Sequence, residues 1–377
     1  MMNVIKHLSK LNIIQLMIFL FINGIFVFKY SQRTCFSPYL CTIAYLLFLT
    51  IIVSIVKRIT HINYKYATII LLLCICILIT IILIKVSPLS INVDRWSATT
   101  YFLDALFSGI YPYGVVTHVG NYSSPFPLWH YLNIPFWILK DVGIGLFAFL
   151  FLLVYSFYTF TSSYKKTFIF LLLLSISPSY WWEIMVRSDG LSNQILAFSI
   201  LVYLYKKGIS FDNRWIFTSI ILGLCACTRL SAVIPIGIYL LKSYIHIPLR
   251  QKIYAAWIVL SVMFIVFIPY IFWDTNNYVF FERNPFMTQS ILSNIYIVTI
   301  AVCVTIIFSF YNNGIIRYFN FTSIIMFLFF GSTLICFYLS SGTSLSVWDY
   351  SSFDISYLTL LLPYCITSIC LELQTNE

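Results

Sequence analysis

Apolar runs dominate this chain, and short polar breaks divide them along its whole length. A membrane-crossing helix needs roughly 20 apolar residues. By that criterion the candidate spans are 11–29, 38–56, 67–85, 143–160, 167–178, 190–205, 215–228, 231–243, 253–273, 289–310, 320–340 and 354–371. The runs at 167–178 and 231–243 are short for a crossing. An even number of spans puts both ends on one side of the membrane. The pattern predicts an all-α, polytopic membrane helix bundle with about 12 spans, folded as a single integral-membrane domain over 1–377. The first run follows Lys6 and Lys10 and lacks a small-residue cleavage site, so it is expected to remain as a helix.

One break is far longer than the rest. Residues 86–142 hold two stretches, about 95–109 and 128–140, that mix Trp, Phe, Tyr and Leu with sparse polar residues. Both are expected to be interfacial helices. Between them, "YPYGVVTHVGNYSSPFPLWHY" is rich in turn formers. A loop of this length in a compact fold is usually functional or disordered, and its aromatic content argues against disorder.

Composition supports the membrane reading. Of 377 residues, 61% are hydrophobic and 9% charged, whereas a soluble domain carries about a quarter charged residues. The formal charge of +10 does not point to nucleic acid, because the basic residues sit in short loops between apolar runs. With the N-terminus in the cytoplasm, 14 of the 22 basic residues fall in cytoplasmic loops, as the positive-inside rule requires. The exceptions are Lys29, Arg33, Lys85, Arg95, Lys140, Arg187, Arg229 and Arg283. Carboxylates take the opposite side. Nine of the 12 (Asp94, Asp104, Asp141, Glu183, Asp189, Asp274, Glu282, Asp349 and Asp354) fall on the outer face, where function is the economical explanation. The ten cysteines lie mostly within apolar stretches and form neither a disulfide framework nor a metal spacing.

Four polar clusters are candidates for chemistry. In "INVDRWSATTYFLDALFSGIYPYG", Asp94 suits either a general base at the membrane surface or the N-cap of the following helix. Asp104, ten residues on, lies on a different side of that helix and is expected to be paired or solvated. In "SPSYWWEIMVRSDGLSNQ", Glu183 and Arg187 have the spacing of a helical ion pair and Asp189 reads as an N-cap. The same trio beside two tryptophans also suits a phosphate, for which Arg is the fitting side chain. Arg229 in "CTRLSAVIP" interrupts an apolar stretch and is either the wet tip of a hairpin or a phosphate ligand. Asp274, Glu282, Arg283 and Gln289 form a further polar outer loop, with Glu282 and Arg283 expected to pair with other loops. His118 and His130 lack a metal spacing and are expected to be structural or solvent-facing. Tyr113 and His130 join Arg95 and Asp104 as candidate substrate contacts of the aromatic loop.

These segments, in this order, resemble the GT-C superfamily of integral-membrane glycosyltransferases in a bacterial form. The carriers are "NVDRWS", "GIYPYG…NYSSPFPLWHYLNIP", "SPSYWWEIMVRSDGLSNQIL", "GLCACTRLSAVIPIGIYLL" and "FERNPFMTQSI", within residues 67–290. The resemblance implies a polyprenyl-phosphate sugar donor, inverting transfer to a glycan, lipid or protein acceptor, and an active site on the outer (periplasmic) face of the bacterial plasma membrane. It implies Asp94 as general base and Arg187 and Arg229 as ligands of the lipid phosphate; Arg95 and Asp189 are further candidate substrate contacts that the resemblance does not assign. The chain departs from the family pattern in two ways. Two spans, within 1–66, precede the core, and the loop carries a lone Asp94 rather than an adjacent acidic pair, which leaves metal use open. Residues 291–377 supply the last spans. The competing readings are an outer-face polysaccharide polymerase or ligase, whose main polar loop would sit in the second half of the chain, and a transporter, which should show half-to-half repeats.

Overall fold

The computed structural model describes residues 10–56, 62–273, 279–290, 294–311, 314–340 and 354–372. Within them the chain is helical, and the sole β feature is an isolated bridge between Val116 and Tyr122. Helices α1 (Lys10–Ser31), α2 (Pro38–Val56) and α3 (Tyr64–Lys85) precede the long loop. That loop holds α4 (Arg95–Phe107) and α5 (Pro127–Ile138), close to the two helices expected there. Then come α6 (Gly145–Thr161), α7 (Tyr164–Ser175), α8 (Pro178–Met185), α9 (Asp189–Lys206), α10 (Phe211–Ala226), α11 (Leu230–His246) and α12 (Leu249–Ile271). Short helices α13 (Val279–Glu282) and α14 (Pro285–Ser290) lead to α15 (Ile295–Tyr311) and α16 (Ile315–Ser340). A 3-10 turn, Ile355–Leu361, runs into α17 (Leu362–Glu372).

Every apolar stretch expected to be a span therefore contains a helix. Among the described residues, six helical segments are long and apolar enough to cross a membrane: Ile13–Ser31, Tyr64–Lys85, Val142–Thr161, Leu249–Ile271, Ile315–Leu339 and Ile355–Glu372. A seventh is possible if α7 and α8, which meet at a 69° bend, count as one broken span. The sequence-based count of 12 is thus larger than length and hydropathy support. Shortness is the reason for α7 and α11, and polar residues at its outer end are the reason for α9.

Local chemistry sets the boundaries. Asn63 caps α3 and Ser163 caps α7 through side-chain bonds to backbone N–H groups. Ser210 and Asn213 form a reciprocal capping box at α10. Proline stands at the first position of α5 and α8, where its missing N–H costs nothing. The core centres on α9 and α17. α9 buries Leu191, Ile195, Phe198 and Leu201 against α6 and α11, and every residue of α17 is buried, mainly against α16, α1 and α7. A second, aromatic core of Phe102, Tyr113, Phe126, Phe267 and Tyr270 ties the long loop to α12.

Candidate functional site

Polar side chains from the outer connections and nearby helix ends converge where Arg95, at the start of α4, meets Asp189, at the start of α9. Asp94 stands at the N-cap position of α4, but its side chain makes no capping bond. Its carboxylate instead accepts from Asn121 Nδ2 at 2.9 Å. Asn121 is held there by a tight turn in which Thr117 N donates to Asn121 O at 2.8 Å. Gly120 in that turn has φ +95°, a conformation only glycine adopts cheaply.

Arg95, next along, turns inward and joins two distant parts of the chain. It donates to Asp189 at 3.3 Å and forms a second, shorter ion pair with Asp354. Asp189 in turn pairs with Arg229. The result is a continuous chain of charges, Asp354–Arg95–Asp189–Arg229. Three of its side chains are at most 11% exposed, and Asp354 is 34% exposed. Burial opposes the charge on Arg95, but the carboxylates of Asp354 and Asp189 outweigh it and raise its pKa above the ordinary arginine value. Burial likewise opposes ionisation of Asp354, and Arg95 together with the Ser356 backbone N–H holds its pKa below the usual carboxylate range.

The cap expected at Asp189 belongs to Ser188, whose Oγ accepts from Gly190 N and Leu191 N. Asp189 occupies the first helical turn, where the helix dipole also favours its negative charge. The expected Glu183–Arg187 ion pair is not formed. Helix α8 ends between them, and Arg187 has φ +51°, which swings its side chain away. Arg187 bonds Asp141 through Nε at 3.4 Å and closes the C-terminus of α3 by donating to Leu83 O and Val86 O. Its side chain is 2% exposed. Glu183 is buried with Oε1 unpartnered. Nor is Arg229 a wet hairpin tip: it is buried, because the long loop folds over it. Phe126 N and Leu128 N donate to Thr228 O and Cys227 O, and Ser124 Oγ accepts from Arg229 Nη2 at 3.2 Å.

Other expected site residues lie apart. Asp104 is exposed on α4 and accepts from Trp137 Nε1 at 2.8 Å, rather than joining an ion pair. Tyr113 is buried in the aromatic core, its hydroxyl donating to Pro125 O at 3.1 Å. His130 is fully buried, stacked on Phe102 at 3.6 Å, with Ser123 Oγ 3.2 Å from Nε2 and Nδ1 unpartnered. Burial pushes its pKa down to about 3, with Asp189 pulling the other way. Arg283 lies over the Tyr122 ring rather than beside a carboxylate. Asp274 and Asp349 lie outside the described residues.

Two cavities flank the charge chain. A polar cleft of about 180 Å³ is lined by Asp94, Asn121 and Asn92 of the long loop together with Lys29, Tyr30, Arg33, Trp182 and Asp354. Tyr30 and Trp182 stack at 4.0 Å, and Arg33 lies over Tyr30 at 5.0 Å. A largely apolar groove of about 530 Å³ runs between α11, α15 and α16, with Ser124, Arg229, Ser231 and Gln289 at its polar end. Gln289 bridges Ser124 O and Leu230 N there. Arg229 Nε and Ser231 Oγ are buried without partners. Asp354 therefore lies in the cleft and Arg229 in the groove, at opposite ends of one ion chain.

The contribution of α1 was not anticipated. Lys29 and Arg33 break the positive-inside pattern, and that exception was the available signal. Among the described residues, no group of three or more His, Cys, Asp or Glu side chains is arranged to hold a metal ion. No protein-family model, curated protein or solved structure matches this chain.

Proposed function

We propose that this protein is a membrane glycosyltransferase of GT-C type, which moves a sugar from a polyprenyl-phosphate donor to an acceptor at the outer face of a bacterial plasma membrane. In this reading all twelve apolar stretches serve as complete or broken spans, and both termini are cytoplasmic. The observation that carries the reading is the ion chain linking a polar cleft, which contains a carboxylate, to an apolar groove, which contains a buried arginine.

Each part has a chemical role. The groove takes the donor's prenyl chain, which packs against its apolar lining and brings the phosphate to its polar end. Arg229, with Nε and the nearby Ser231 hydroxyl unpartnered, binds the phosphate at the groove's polar end. Asp94, oriented by Asn121, accepts the proton of the attacking acceptor hydroxyl in the cleft. That oxygen forms its bond to the anomeric carbon from the face opposite the phosphate, which leaves with the electron pair of the broken C–O bond and inverts the anomeric centre. Arg95 and Arg229 stabilise the charge that develops on the leaving phosphate. Arg187 acts at one remove, by holding the end of α3 and Asp141.

The reading is tested with membranes carrying the wild-type chain and a panel of labelled polyprenyl-phosphate sugars. Movement of label from the lipid to a glycan, lipid or protein fraction supports it. If no polyprenyl-phosphate sugar serves but label crosses the membrane still attached to lipid, the protein is a transporter.

A further inference from the structure

The cleft has an uneven distribution of charge that neither the ion chain nor the proton transfer uses. Asp354 is neutralised by Arg95, Asp94 is bonded to the neutral amide of Asn121, and Lys29, which also lines the cleft, is buried. Arg33 is different. It is exposed, its guanidinium rests on the Tyr30 ring, and among the described residues no carboxylate forms an ion pair with it. The Arg33–Tyr30–Trp182 stack orders this side chain, so its charge faces the cleft without the full entropy cost of a free arginine.

We propose that the cleft takes a sugar bearing one anionic group, read by Arg33, with a hydroxyl of the same ring presented to Asp94. This rests on the cleft being the acceptor site of the proposed transferase. The polarity of the site sets the ligand's orientation. Asp94 repels an anion and accepts a hydroxyl proton, whereas Arg33 offers a fork of donors suited to a carboxylate or a phosphate. Asn121, whose Nδ2 holds Asp94, also lines the cleft. A volume of about 180 Å³ is below the roughly 300–1,000 Å³ typical of drug-sized pockets and suits one ring. Carboxylate and phosphate share this chemistry, and the ligands below separate them.

Binding is measured by equilibrium dialysis on the purified full-length chain in detergent, with radiolabelled glucuronic acid, glucose 6-phosphate, glucose and inorganic phosphate. At least one acidic sugar is expected to bind about tenfold or more tighter than both glucose and inorganic phosphate, as a charge-assisted hydrogen bond allows. Arg33→Gln should erase that preference. Whichever acidic sugar binds identifies the anion. The proposal is overturned if glucose binds as tightly as the acidic sugars, if no sugar binds, or if Arg33→Gln keeps the preference. Dialysis needs no turnover, so the two readings fail separately. Selective binding without transfer from any lipid donor removes the transferase and keeps the anionic-sugar site. Transfer without charge preference does the reverse.

Discussion

Arg95 and Asp189 are 94 residues apart in the chain and 3.3 Å apart in space. That contact joins the long outer loop to α9, one of the two helices at the centre of the core, and it is the middle link of the four-residue ion chain. Its two flanking links are what make the proposed site a single unit rather than two cavities.

Removing the central carboxylate leaves two buried guanidiniums without the anion they share. Asp189→Asn should therefore destabilise the protein by about 3–5 kcal/mol. Thermal unfolding in detergent measures this. A variant that melts like the wild type would mean that the chain of charges does not hold the loop to α9.

Arg187 separates a structural role from ligand binding. Lysine keeps the charge but cannot reach Asp141, Leu83 O and Val86 O together. Arg187→Lys should lower the unfolding temperature and leave the donor KM of the folded enzyme unchanged. Gly143→Ala should act through the same contact, because an added Cβ would lie 2.9 Å from Arg187 Nε and 2.9 Å from Leu83 Cδ2. Overpacking of that kind costs about 1–3 kcal/mol. A raised KM with normal unfolding in Arg187→Lys would assign that side chain to the phosphate after all.

The charge inventory was readable before the fold, but its connectivity was not. Asp94, Arg95, Asp189 and Arg229 stand out in the sequence because charges are rare there, and a charge in an apolar chain needs a partner or a cavity. Which partner each finds depends on packing between segments up to 259 residues apart, for which periodicity carries no signal. Arg187 misled for a local reason: spacing i, i+4 implies a pair only if the helix continues, and α8 stops at Met185. Tyr113 and His130 looked like ligand contacts because aromatic loops at membranes often are, yet they fill the loop's own core. Lys29 and Arg33 carried a signal in their sidedness, as cations on the face opposite to most of the basic residues.

His130 gives the outer loop a pH dependence whose sign is determined. Its pKa is about 3 when folded and about 6.5 when unfolded. Below pH 6.5 the unfolded chain therefore binds a proton that the folded one refuses, and stability falls as pH drops from about 6.5 toward 3. His130→Gln should unfold with less pH dependence than the wild type across that window. Parallel profiles for the two proteins would contradict the neutral, buried state of this ring.

The groove's role is open to a steric test. Val302 is 52% exposed and lines it. Val302→Trp should block part of the groove and unseat the donor's chain, and with it the phosphate beside Arg229, by about tenfold in affinity. Use of a long-chain donor should fall by at least that factor, while a short-chain water-soluble analogue is used as before. Equal loss with both donors would put the lipid elsewhere.

The most direct test of the catalytic claim is the transfer rate from a labelled polyprenyl-phosphate sugar in membranes carrying wild type or Asp94→Asn at matched protein levels. Asparagine keeps the shape of the side chain and an oxygen that accepts from Asn121, but it cannot take a proton. A loss of about 10²-fold or more with normal expression is the predicted result. Transfer at the wild-type rate would contradict Asp94 as the base, and with it the account of the cleft as the reaction centre.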